Sequence, residues 1–407
     1  MGRAIEVDVD SPAGAATALR STRAVRARAR FLTERARAGE SPWFTVHGDA
    51  LEATAALVAD VTRASYPDLQ IPLHSRWRHF EAGGVDRKVL LGDADPRALV
   101  DLTVVSVLLD AGAGPSWSYL EPGTGLRLNR SEGLGVASFH AFTAGVFSSD
   151  PDDPLRVDDA GLAGLTAQRL AEAFQADATN PLVGLDGRVA VLRRLGAALA
   201  AAPEVFGADA RPGGLLHAVS GAESTSVPAH NILSVILNAL GPIWPSSTMI
   251  GDQPLGDCWR HRALRGPGLT AGWMPFHKLS QWLTYSLLEP FGWAGIQVTD
   301  LDELTGLPEY RNGGLLLDTG VLALRDADCV ARSFTPADEL VIEWRALTVT
   351  LLDELAPLVR DKLGVDAEQM PLARVLEGGT WAAGRQLAQQ LRGGLPPLSI
   401  ASDGTVF

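Results

Sequence analysis

Apolar residues recur every three or four positions through most of this chain. In segments 50–64, 97–111, 158–175, 186–202, 228–240, 276–289 and 337–363 they take the spacing that lines one face of a helix. Strand-like alternation is confined to 43–47 (WFTVH) and 87–91. Ala and Leu are abundant and β-branched runs are few, which favours helix by intrinsic propensity. Gly- and Pro-rich patches at 112–125, 203–214 and 264–275 predict loops, and 241–275 predicts a long excursion over a pocket. No repeat of fixed period is present. The pattern predicts a mainly α-helical protein, one large helical domain over 1–407 with an N-terminal helical extension at 1–40 and a long insertion over 203–275.

The N-terminal segment needs a separate reading. Residues Ser11 to Arg37 are rich in Ala and Arg, with Pro12 placed for a first helical turn. Glu6, Asp8 and Asp10 precede it, and Leu19, Val25, Phe31 and Leu32 form a broken apolar stripe. These features predict a solvated surface helix rather than an Arg-rich organellar leader.

Composition narrows the function classes. Hydrophobic content of 46% and charged content of 20% are those of a globular protein. A formal net charge of -13, from 35 basic and 48 acidic residues, argues against nucleic acid as a partner. It leaves room for a local basic pocket. Cys258 and Cys329 are too few for a disulfide framework or a thiolate metal site, which fits a cytoplasmic location. No run of about 18 uncharged apolar residues occurs, so no membrane span is expected.

The densest chemistry lies in Thr299 to Gly320, TDLDELTGLPEYRNGGLLLDTG. Thr299 followed by Asp302 and Glu303 resembles a helix N-terminus, and Pro308 favours an extended residue before it. On one continuous helix Asp300 and Glu309 would face opposite ways, whereas a break at Gly306-Leu307-Pro308 would let both carboxylates converge with Arg311. That is a polar small-molecule site or, equally, two capped helix starts. Upstream, Ser75-Arg76-Trp77-Arg78-His79-Phe80 precedes a Gly83-Gly84 turn and Arg87. Arg76 and Arg78 there are suited to hold a phosphate or carboxylate through paired N–H donors, or to serve as interface or surface residues. Asp110 ends an apolar helix and leads through glycines to Trp117, an arrangement for recognising a sugar or base unless Trp117 is a core anchor.

Metal and nucleophile templates fail. His74 and His79 stand five apart and His277 stands alone. Asp257 and His261, four apart, would share a helix face, but two ligands make no metal site. A nucleophile elbow, a phosphate-cradling loop and a dinucleotide fingerprint are all absent, so no metal or cofactor is expected. Carboxylate-based catalysis is the enzymatic option left.

WMPFHKLSQWLTYSLLEP, TDLDELTGLPEYRNGGLLLDTG and IEWRAL, with SRWRHFEAGGVDR and SGAESTSVPAHN, resemble the uracil-catabolism family of bacteria and fungi, the fourth protein of that pathway. A more distant resemblance is to the queuosine-nucleotide glycosidases, helical enzymes similar in fold to DNA glycosylases. It rests on Asp110 with Trp117, on Phe276, His277, Lys278 and Gln281, on Asp300 with Tyr310 and Arg311, and on Ile342, Glu343, Trp344 and Arg345. NPLVGLDGRVAVLRRLG is similar to their loop-and-helix motif. Departures are Glu309 in place of Asp, Asn312-Gly313-Gly314 in place of Leu-Pro-Gln, and a longer 203–272.

The resemblance implies a nucleoside or nucleotide substrate and cleavage of a ribose–nitrogen bond through an oxocarbenium-like state. It implies Asp300 as the stabilising carboxylate and Glu309 as a ribose-hydroxyl or Arg-orienting ligand. Phe276, His277 and Trp117 are expected as pocket wall, and Lys278 with Arg311 or Arg345 as holders of a 5′-phosphate. Residues 76–87, 110–119, 276–281 and 300–311 are expected to line one pocket. The pathway points to a ring-opened uracil nucleotide such as ribosylurea, cleaved to free urea, with Asp110 and His277 as candidates to protonate the departing nitrogen. Alternatives are a non-catalytic protein that binds a nucleotide intermediate and an amidohydrolase acting on the opened ring.

Overall fold

The protein's structure is a computed structural model that describes residues 7–221, 224–244 and 248–401. It is 57% helical with 8% strand, so the mainly α class read from the hydrophobic spacing holds. Leu51–Ser65, Pro96–Leu108, Leu185–Ala201, Ala229–Ala239, Lys278–Trp293 and Glu339–Leu363 are helices where that spacing places them. Among the described residues no helix is long and apolar enough to cross a membrane.

Local capping explains where the elements depart from expectation. The 158–175 segment is two helices, Asp159–Ala163 and Ala167–Ala173, because Asp158 and Thr166 each cap a new start by accepting a backbone N–H. Residues 87–91 are not a strand. Asp86 accepts the Lys88 N–H and starts a 3-10 turn over Arg87–Leu91, leaving Val89 and Leu90 exposed. Nor do Asp257 and His261 share a helix face. They flank a strand, Cys258–Arg260, paired antiparallel with Trp273–Pro275.

The N-terminal segment is broken by a second serine cap. Ser11 starts Pro12–Leu19 and Ser21 starts Thr22–Arg37. Val25, Ala29, Leu32 and Ala36 are buried in a full stripe against Glu339–Leu363, so the second helix is a packed element and not a solvated one. Phe31 stays outside. The Arg130–Thr143 helix carries glycines that mask its pattern. A Cβ on Gly133 would stand 2.8 Å from the Leu128 carbonyl oxygen, and one on Gly135 would stand 2.7 Å from His79 Cβ.

The chain divides into two compact units. Of the described residues, the first takes those within Met1–His74, Ser246–Lys278 and Leu301–Ala401. The second takes those within Ser75–Pro245 and Leu279–Asp300. In the first unit, Glu339–Leu363 packs against Thr22–Arg37 and Leu51–Ser65, and Tyr310–Asp318 packs on Trp381–Arg392. Gly313 lets Trp344 approach that packing, since a Cβ there would meet the indole at 2.8 Å. In the second unit Pro96–Leu108 is buried almost all round, beside Arg130–Thr143 and Leu185–Ala201. Every sheet among the described residues is two-stranded. Within 248–275, Met249–Ile250 pairs with Gln253–Pro254 and Cys258–Arg260 with Trp273–Pro275, and in the second unit Ser226–Pro228 lies parallel to Gln297–Thr299.

Candidate functional site

In the first unit the site is hung on Asp257, at the mouth of the hairpin. Its carboxylate accepts Arg345 Nη1 and Nη2 at 2.7 Å each, Trp259 Nε1 at 2.7 Å and the Lys278 backbone N–H at 3.0 Å. Its own carbonyl accepts the N–H groups of Phe276 and His277. Burial works to raise the Asp257 pKa, but the Arg345 guanidinium and these donors hold it well below the usual carboxylate range. Arg345, 2% exposed, also reaches the Pro308 carbonyl and lies 4.0 Å above the Phe276 ring. One carboxylate thus fixes the run Phe276–Lys278 and the guanidinium of Arg345.

His277 adopts φ 51°, a left-handed conformation that a histidine holds only when its surroundings insist. Its ring is buried, which lowers its pKa and favours the neutral form, and Nε2 lies 3.1 Å from the Leu19 carbonyl oxygen. A neutral ring donating there has its proton on Nε2.

Glu309 is the N-cap of the Tyr310–Asp318 helix. Its extended backbone sets the carboxylate over the N–H groups of Arg311 and Asn312, both at 2.6 Å. Burial raises its pKa. Those two N–H groups, then Lys278 and Arg311, act in the opposite direction. Arg311 is 3% exposed, stacks on Tyr310 at 4.8 Å and donates from Nη1 to the Gly394 carbonyl at 3.3 Å.

The loop before Glu309 is anchored from below. Arg26 donates to the carbonyls of Asp302, Glu303 and Leu304 and pairs with Asp353. The Asp302 carboxylate takes the Leu372 N–H and Arg360. A 3-10 turn, Leu301–Glu303, stands where Thr299 and Asp302 predict a helix start. Asp318, at the far end of the motif, is held by Arg392.

The second unit holds the remaining predicted residues. Arg76 is wholly buried, pairs with Asp110 at 2.7 Å and donates to Ser106 Oγ and the Ser131 carbonyl. Burial raises the Asp110 pKa and Arg76 pulls it the other way. Arg78 pairs with Glu81 and Glu289. Trp117 is 1% exposed and its Nε1 donates to the Phe174 carbonyl, so it serves as a core anchor. Gln281 is buried on the Lys278–Trp293 helix. Asp300 is exposed, has φ 54° and accepts the Thr299 hydroxyl at 3.0 Å.

The fold therefore gathers Phe276, His277, Lys278, Glu309, Tyr310, Arg311 and Arg345 in the first unit. Arg76, Arg78, Asp110, Trp117, Gln281 and Asp300 belong to the second. Sequence reasoning missed Asp257 as the organiser, since its partner Arg345 is 88 residues away and no spacing rule links them. It missed the buried Ser41–Glu343 hydrogen bond, with His261 beside Glu343 at 3.3 Å, for the same reason. Ala222 and Glu223 of the SGAESTSVPAHN motif lie outside the described residues.

Fold and site together define a mainly helical protein in which the pairs Asp257–Arg345 and Asp110–Arg76 hold motif residues in place. The chain belongs to the family described as Protein of unknown function (DUF1688), matched over residues 18–407. It is 38% identical over 407 residues to "Protein urg3" of Schizosaccharomyces pombe, covering 96% of this chain and 98% of that one. It is also 38% identical over 377 residues to "Uracil catabolism protein 4" of Lachancea kluyveri, covering 83% and 85%. The family membership expected from the motifs is borne out.

Proposed function

We propose that this protein acts in uracil catabolism as an N-glycosyl hydrolase, cleaving the ribose–nitrogen bond of a ring-opened uracil nucleoside or nucleotide such as ribosylurea or its 5′-phosphate. The name of the Lachancea kluyveri relative supports the pathway. The observation that carries the chemistry is Asp300, an exposed carboxylate on a left-handed backbone at φ 54°.

In the proposed reaction the C1′–N bond breaks heterolytically and its electron pair leaves with urea nitrogen. Water adds to C1′ and loses a proton, and the departing nitrogen gains one. Urea nitrogen is a poor leaving group, so it needs protonation as the bond lengthens. Asp300 is assigned to stabilise the cationic sugar, its left-handed backbone being the kind of strain that collects at functional positions.

Incubating the purified chain with ribosylurea, its 5′-phosphate, UMP and uridine, and measuring urea, base and ribose products, tests the reading. Urea released with an equal amount of ribose product is expected. Binding without product from any of the four supports a non-catalytic intermediate-binding protein instead, and ammonia in place of urea supports an amidohydrolase.

A further inference from the structure

The SGAESTSVPAHN motif has no part in the reaction as written so far, yet the fold carries its end to Asp300. Within the second unit Ser226–Pro228 runs parallel to Gln297–Thr299, with Pro228 opposite Thr299. The Gln297 N–H donates to the Thr225 carbonyl at 2.7 Å and holds that register. In a parallel pair both strands end at the same edge, with neighbouring backbones about 5 Å apart. One residue past the edge stands Ala229 on one chain and Asp300 on the other. Pro228 closes its strand and the helix Ala229–Ala239 begins at once, so half-buried His230 sits in the first turn, at the edge where Asp300 leaves. A carboxylate at C1′ and a proton donor at the leaving group stand about 5–9 Å apart in glycoside-cleaving sites, a span that side chains from adjacent strand ends cover. The departing nitrogen needs such a donor, and both candidates read from the sequence are committed elsewhere. Asp110 pairs with Arg76 at 2.7 Å, and His277 Nε2 is turned to the Leu19 carbonyl.

We infer that His230 is the acid that protonates the departing nitrogen while Asp300 stabilises the cationic sugar. This rests on the proposed reading of the protein as a ribosyl hydrolase and adds a catalytic residue to it. The imidazolium gives its N–H proton to nitrogen as the C1′–N bond breaks and the electron pair leaves with that nitrogen. Water adding to C1′ loses a proton, which restores the imidazolium. Histidine suits the role because imidazole exchanges a proton readily at physiological pH.

The test compares two leaving groups on the full chain. Ribosylurea needs a proton on its departing nitrogen, whereas 4-nitrophenyl β-riboside releases a phenolate that leaves without one. His230→Gln should lower urea release about a hundredfold or more and slow the aryl riboside by no more than about threefold. Asp300→Asn should lose both, since the sugar cation forms in either case. His217→Gln, on an exposed face, should change neither. Added imidazole should restore part of the rate lost in His230→Ala. That rescue carries the test if His230→Gln fails to fold or the aryl riboside is not accepted. Urea release at the wild-type rate by His230→Gln, or equal loss on both substrates, would overturn the inference and leave the glycosidase standing. Where the rescue carries the test, no effect of imidazole would do the same. A wild type that frees no urea would sink the glycosidase reading itself, and the inference with it.

Discussion

Asp257 and Arg345, 88 residues apart, face each other fork to fork with both N–O distances at 2.7 Å. A buried pair of this kind is strongly destabilising to break on one side, because the remaining charge is left without a partner. Asp257→Ala should therefore cost about 3–5 kcal/mol in urea unfolding at neutral pH. The double variant Asp257→Ala with Arg345→Met should recover much of that loss. A single-site cost below about 1 kcal/mol would mean that the pair is solvated and does not organise Phe276–Lys278.

Acid stability offers an independent check in the second unit. Burial works to raise the Glu121 pKa, but hydrogen bonds from Arg87, His140 and Thr124 bring it down to about 2. A carboxylate depressed in the folded state binds fewer protons there than when unfolded. Its contribution is thus fully present above the unfolded value near 4.5 and is lost as pH falls towards 2. Unfolding free energies measured from pH 6 to pH 2 should drop across that window. Glu121→Gln should be less stable at pH 6 and should flatten the drop, and an unchanged pH slope would contradict the assignment.

Close backbone approach beside Arg311 yields a packing prediction. A Cβ on Gly384 would stand 2.2 Å from the Arg311 carbonyl oxygen, so the Trp381–Arg392 and Tyr310–Asp318 helices touch only because that position is glycine. Gly384→Ala should destabilise the protein by roughly 1–3 kcal/mol by forcing the helices apart. Stabilisation, as expected for Gly→Ala in an open helix, would show that the contact is not made.

Much of this was legible in the chain. The 3.6-residue spacing located Leu51–Ser65 and Glu339–Leu363, because each buries a long apolar face. Capping side chains decided what spacing could not: Asp158 and Thr166 split one helix, Ser21 began another, and Asp86 turned a strand-like run into a 3-10 turn. Motif chemistry singled out Lys278, Glu309 and Arg311 because they belong to short patterns in which charge and glycine recur. Asp257 carries no such mark, since its importance lies wholly in which distant donors the fold brings to it.

Asp300 bears the central claim, and the measurement that tests it most directly is the rate of urea release from ribosylurea 5′-phosphate by the wild type and by Asp300→Asn. Asparagine tolerates the left-handed backbone at φ 54° as aspartate does, so the substitution removes charge and leaves the fold. Losing a carboxylate that meets the cationic sugar should cost several kcal/mol of transition-state stabilisation, a fall of about a thousandfold in kcat with ligand affinity retained. Release of urea by Asp300→Asn at the wild-type rate would contradict the account.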